Sequence, residues 1–213
     1  MPGFDLSITP EKVILVLFFL GIGFPVHEFS HAFAAYQLGD GTAKVFGRLT
    51  LNPVKHFDPV GGLLFVASVL LGGFIIGWAK PTPVNPSNLR DRRNGEVIVA
   101  LAGPASNLIM AAVGAVVFRV VYAMGVGVPY TVIQLLFDFV WFNVMLALFN
   151  LVPIPPLDGS TVLFRFLEPA TAWRARVALA QYGFVVVLMV VLLFGSQIAD
   201  FIYNLTLTML GVG

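Results

Sequence analysis

The chain has 213 residues, 58% of them hydrophobic and 11% charged, with a net charge of +1 and no cysteine. Its mean hydropathy of +0.92 leaves too little charge to cover the surface of a soluble domain of this size. The near-zero charge gives a nucleic-acid partner no electrostatic support, and the missing cysteines exclude disulfides and thiolate ligands together. Any bound metal must use His, Asp, Glu or water.

Residues 1–12 form a short polar lead. Thr9 is placed to cap a helix whose first residue is Pro10. An apolar helix then runs from about Val13 to Leu38, where Gly39-Asp40-Gly41 ends it. It passes into His27-Glu28-Phe29-Ser30-His31 without a small-residue cleavage site, so it reads as a retained membrane helix rather than a cleaved leader. Residues 42–58 alternate in part between apolar and polar, which predicts one or two short strands over about 42–56, ending at Asn52-Pro53.

Residues 59–79 are apolar and glycine-rich, and residues 80–95 form a polar loop. Apolar helices are predicted over 96–124, 130–151 and 175–195, each near the ~20 residues that cross a bilayer. Three prolines break the chain at 150–159, and a weakly amphipathic tail ends it. The whole of 1–213 reads as one membrane-embedded domain. The expected fold is all-α and polytopic, with about four crossings, a re-entrant hairpin at 59–79 and the short strand segment.

The chemistry concentrates at His27 and His31. Four residues apart on a helix, they project from one face, a spacing that suits two ligands of one zinc ion. Glu28, beside His27, can reach a water at the metal without ligating and would be the general base. Ionisable groups inside a membrane helix are costly, which argues for function. A third ligand is needed, from among His56, Asp58, Asp138, Asp158 and Glu168. Asp158 fits best, because it lies in a proline-broken stretch where a carboxylate can face a polar cavity. Its alternative role is to cap the helix that starts at Ser160.

HEFSH at 27–31, ALAGPASN at 100–107 and NLVPIPPLDG at 150–159 resemble the site-2 protease family of intramembrane zinc metalloproteases. GRLTLNPVKHFDPVG at 47–61 and GWAKPTPVNP at 77–86 resemble its compact bacterial subgroup, which lacks PDZ and CBS domains. The resemblance implies one Zn2+ per chain, held by His27, His31 and Asp158, with Glu28 activating water. It implies a transmembrane protein as substrate. It makes Asn150 a candidate to hold the substrate carbonyl or the oxyanion; the alternative is that Asn150 satisfies carbonyls freed near Pro153. Asn107 is expected to serve helix packing. Asn143 and Asn150, seven apart, either line a polar cleft or bond between helices.

Depth tests the topology. A full crossing by 59–79 would put Asp158 on the opposite membrane face from the two histidines, whereas a hairpin there puts them together. The hairpin also gathers Lys44, Arg48, Lys55, Lys80, Arg90, Arg92, Arg93, Arg165, Arg174 and Arg176 on one side, ten of the twelve basic residues. The positive-inside rule makes that side the cytoplasm of a multi-pass cell-membrane protein, with both termini outside. The strand segment at 42–56 could pair with an extended substrate. A divalent-metal transporter and an inactive membrane scaffold are the rival readings.

Overall fold

A computed structural model describes residues 9–71, 77–125 and 127–212. Among these residues, four helical stretches are long and apolar enough to cross a membrane: Lys12–Gln37, Arg92–Ala123, Tyr130–Asn150 and Pro169–Leu210. This bears out an all-α fold with four candidate spans.

The first span opens with α1, Pro10–Phe18, capped by Thr9, which accepts from the Lys12 N–H. A π-helical turn, Phe19–Gly23, then shifts the register before α2, Phe24–Gln37. Pro25 explains the shift. It has no N–H to offer the preceding turn, and Phe24 N–H bonds back to Phe19 O instead. The turn sits just ahead of His27 and so sets the direction in which the HEFSH face points.

The strands expected at 42–56 are absent. The segment holds two one-turn helices, α3 (Thr42–Val45) and α4 (Pro53–His56), joined by irregular chain. Alternation alone misled here. Gly47 takes φ +66, off the strand region, and Asn52 caps α4 by accepting from Val54 N–H, with Pro53 as its first residue. Buried Arg48 donates to the Lys55 and Lys80 carbonyls, replacing a ladder with side-chain bonds.

α5, Pro59–Leu71, has 13 residues, about 20 Å at 1.5 Å per residue, and is too short to span. The chain then comes back beside it. Lys80 N–H donates to His56 O at 2.9 Å, so the two ends of 59–79 are adjacent. A Cβ on Gly61 would strike the Trp78 carbonyl, which is why the return can pass so close. Residues 72–76, which include Gly72 and Gly73 of the expected hairpin, lie outside the described residues.

α6 (Arg92–Ala123) and α7 (Tyr130–Asn150) form the most extensive helix pair. One core cluster joins α6 and α7 to the last helix through Ala111, Phe118, Val140, Val144 and Ile202. A second joins the first span, α5 and α7 through Phe19, Phe65, Phe142 and Leu146. After the proline break come α8 (Gly159–Phe166) and α9 (Pro169–Leu210). α9 runs unbroken for 42 residues, well past the expected 175–195, to Gly211 at φ +73. Its tail is helical because its polar residues are satisfied within the helix. Buried Thr206, for example, donates to Ile202 O at 2.8 Å.

Asp40, fully buried, ties the end of α2 to the 80–90 loop. It accepts from the Thr42 N–H and hydroxyl, from Asn85 N–H at 2.7 Å and from Asn88 Nδ2 at 3.0 Å. Burial alone would raise its pKa, but these bonds outweigh it and hold the carboxyl below the usual range.

Candidate metal centre

His27 and His31 are buried on α2, and their rings face α6 and the proline break. His27 Nε2 lies 3.1 Å from His31 Nε2. Asp158 Oδ2 completes a triangle, 3.4 Å from the first nitrogen and 3.3 Å from the second. Two bonds behind the rings identify the atoms that face inward. His27 Nδ1 lies 2.6 Å from Asn107 Oδ1, and His31 Nδ1 lies 2.7 Å from the Val99 carbonyl. Both partners are acceptors, so both Nδ1 atoms carry hydrogen and both Nε2 atoms present lone pairs.

With both rings neutral, three lone-pair atoms thus converge with no hydrogen between them, and Asp158 Oδ2 is buried without another hydrogen-bond partner. Such a cluster is unfavourable unless a cation sits in it. Zinc fits. Bonds of about 2.0–2.1 Å in a tetrahedron place ligand atoms roughly 3.3–3.4 Å apart, close to the three separations here.

Each ligand is positioned locally. Gly103 lets α6 pass against the imidazoles, since a Cβ there would lie 2.6 Å from His27 Cε1 and would strike His31 Nε2. Asp158 precedes α8, but its side chain makes no capping bond and turns to the imidazoles instead. A Cβ on Gly159 would lie 2.7 Å from Val152 O and strike Leu151 O, so the break folds back tightly on the end of α7.

Glu28 lies next to the triangle, on a cavity of about 480 Å³ that also touches His27, His31, Asn150 and Asp158. Its Oε2 accepts from Thr82 N–H at 2.8 Å, and its backbone oxygen accepts from the Thr82 hydroxyl at 3.0 Å. Residues 77–82 of the returning chain form one wall. Glu96 and Arg176, paired at 3.1 Å, stand at the rim.

The other candidate ligands stay outside the cluster among the described residues. His56 is buried with Nε2 2.7 Å from Thr50 O. Asp58 accepts from Val60 N–H and Gly61 N–H at the start of α5. Asp138 lies within α7, and Glu168 precedes α9. Asn150 lines the cavity and spends one amide hydrogen on Leu146 O at 2.9 Å. Asn143 does not line it. It is buried and bonds to Asn107 between helices at 3.0 Å. Asn107, expected to serve packing, instead touches a proposed ligand. That pairing and the one between Thr82 and Glu28 were missed; only the motif strings around Asn107 and Thr82 hinted at them.

A helical membrane protein in which two histidines and an aspartate converge, with a glutamate beside them, has the arrangement of a membrane metallopeptidase. The comparisons specify the family. The model for Peptidase family M50 matches residues 124–194, which include Asp158. "Putative zinc metalloprotease YwhC" of Bacillus subtilis (strain 168) is 41% identical over 190 residues, covering 87% of this chain and 81% of that protein. "Putative zinc metalloprotease Rip2" of Mycolicibacterium smegmatis is 35% identical over 168 residues, covering 78% of this chain and 62% of its own length. The protein of the same name from Mycobacterium tuberculosis (strain H37Rv) is 32% identical over 171 residues, with the same coverage. No solved structure was found to match. The chain belongs to peptidase family M50, the site-2 protease family.

Proposed function

We propose that the protein hydrolyses peptide bonds in or beside transmembrane segments of other membrane proteins, with one zinc ion held by His27, His31 and Asp158. The observation that carries this is the convergence of His27 Nε2, His31 Nε2 and Asp158 Oδ2 on one point, beside Glu28 and open to a cavity. His27 stands ten residues before the end of α2, about 15 Å along the helix, so the chemistry lies below the end of a membrane span.

Zinc in such a site supplies Lewis acidity, which polarises a carbonyl and brings the pKa of water toward ~7. The rest falls to the chain's own side chains. Glu28, with Oε2 held by Thr82, takes the proton from the attacking water and returns it to the leaving amine. Asn150 keeps amide hydrogen-bonding capacity toward the cavity for the substrate carbonyl or the oxyanion. A substrate helix has its carbonyls tied in i→i−4 bonds, so it must unwind to expose one. Edge pairing at 42–56 has no strand to use; the irregular chain at 77–82 is what borders the cavity.

Two observations support the membrane arrangement. The ends of 59–79 meet at His56 and Lys80, consistent with re-entry from one face. Arg93, Arg165 and Arg176 also cluster there with Asn94 and Glu96, so the basic residues gather at the end that holds the centre. By that rule the centre opens to the cytoplasm of a cell membrane. Among the described residues one cluster of potential ligands occurs, which suits a resident ion better than one in transit. The test is zinc analysis and cleavage of a single-pass reporter by the purified protein. Native protein should carry one zinc and cut, and Glu28→Gln should carry zinc and not cut. Cleavage by Glu28→Gln at close to the native rate would overturn the base assignment.

A further inference from the structure

We infer that Asn143, on α7, is a positioning residue for the metal centre: through Asn107 on α6 it fixes which nitrogen of His27 carries hydrogen. The inference rests on the ligand set proposed above.

The chain of bonds starts at a group that can only accept. Asn143 Nδ2 lies 2.8 Å from the Phe139 carbonyl, so the amide nitrogen of Asn143 faces its own helix and Oδ1 faces α6. Oδ1 meets Asn107 Nδ2 at 3.0 Å. Asn107 must then direct its own Oδ1 the other way, to His27 Nδ1 at 2.6 Å. An oxygen at that distance requires an N–H on Nδ1. A neutral imidazole has one N–H, so Nε2 is left with the lone pair that a metal needs. Both asparagines are fully buried, and no water can stand in for either.

The two histidines therefore reach one state by different routes. His31 is set directly by the Val99 carbonyl. His27 is set by a relay of two side-chain amides that ends on a carbonyl of another helix. Among the described residues, the bond to the Asn143 oxygen is the one that fixes which way the Asn107 amide faces. Reversed, it would offer NH2 to Nδ1 and favour hydrogen on Nε2, which blocks ligation.

The measurements are the zinc dissociation constant, by chelator competition on the full-length purified protein, and the visible spectrum after Co2+ substitution. Asn143→Leu releases Asn107, the outer partner of His27, and should weaken zinc by at least about tenfold, the low end of the usual 10–100-fold cost of losing such a partner, and alter the Co2+ spectrum. Adding Asn107→Asp to that variant should restore affinity to within about threefold, because a carboxylate offers His27 an acceptor in either orientation. A role in packing α6 on α7 would gain nothing from a buried charge. Should Asn143→Leu not fold, Asn143→Asp keeps an acceptor toward Asn107 and should hold zinc within about threefold of native. The relay is overturned by unchanged zinc affinity in Asn143→Leu, by failure of Asn107→Asp to restore it, or by a tenfold loss in Asn143→Asp. The ligand reading fails separately, if native protein takes no zinc or if Asp158→Ala binds it normally.

Discussion

Thr82 holds Glu28 by two bonds, from its N–H to the Glu28 carboxylate at 2.8 Å and from its hydroxyl to the Glu28 backbone oxygen at 3.0 Å. Pro81 and Pro83 flank it and lack an N–H, so Thr82 supplies the donor of that triplet. The proposed base is therefore held by the returning limb of the hairpin, not by its own helix. Glu28→Gln should lower cleavage of a membrane reporter by roughly 10²–10⁴-fold with zinc content intact. Thr82→Val keeps the N–H and loses the hydroxyl bond. A loss near 1 kcal/mol, about fivefold in rate, is expected at unchanged zinc content. Native turnover in Thr82→Val would show that the hydroxyl does not help hold the base.

Removing a ligand should do more than removing its support. Loss of an outer partner costs about 10–100-fold in metal affinity, so His31→Ala and Asp158→Ala should exceed that and lose activity with the metal. The metal should also contribute to stability, since it binds the folded state. At zinc concentrations of 100 to 1,000 times Kd the gain is about 2.7–4 kcal/mol. Chelation of native protein should lower its Tm, and the same treatment should leave the Tm of Asp158→Ala unmoved. A native Tm indifferent to chelation would count against a resident ion.

Gly103 has a sharper requirement than either helix propensity or packing density would suggest. Alanine favours a helix over glycine by roughly 0.5–1 kcal/mol, so Gly103→Ala would stabilise an ordinary helix. Here the new Cβ would lie 2.6 Å from His27 Cε1 and strike the His31 nitrogen. Gly103→Ala should therefore lose zinc. Gly41→Ala, where a Cβ meets nothing within 4 Å, should keep it. Equal zinc content in both variants would refute the close approach of α6.

These relationships show where a single sequence is informative. His27 and His31 were legible because helical spacing places them on one face, and Asp158 because the prolines around it break an apolar helix. A hairpin at 59–79 was expected from its glycines, from the depth of the site and from the distribution of Lys and Arg, and the adjacency of His56 and Lys80 supports it. The strands at 42–56 failed because alternation says nothing about a pairing partner, while Gly47 and Asn52-Pro53 prescribe local turns. The length of α9 was hidden by polar residues such as Thr206, which bond to their own helix. Asn107 with His27 and Thr82 with Glu28 lie far apart in the chain, and no local pattern encodes such a pairing. Glu28 and Asn150 were named from motif and resemblance, and both line the cavity beside the histidines.

The hairpin makes the last prediction, and the chain is well suited to test it because it has no native cysteine. Lys44, in α3, and Arg92, at the start of α6, flank the hairpin in sequence. In the proposed arrangement, in which His56 and Lys80 are adjacent, Lys44 and Arg92 share one membrane face. Tyr130, exposed at the start of α7, is separated from that end by the length of α6. Single cysteines at 44 and 92 should react with a membrane-impermeant maleimide when the cytoplasmic face is exposed, in inverted vesicles. A cysteine at 130 should react in intact cells. Opposite accessibility of 44 and 92 would mean that 59–79 crosses the bilayer. That crossing would carry Asp158 to the far face from His27 and His31, where the three could not share an ion.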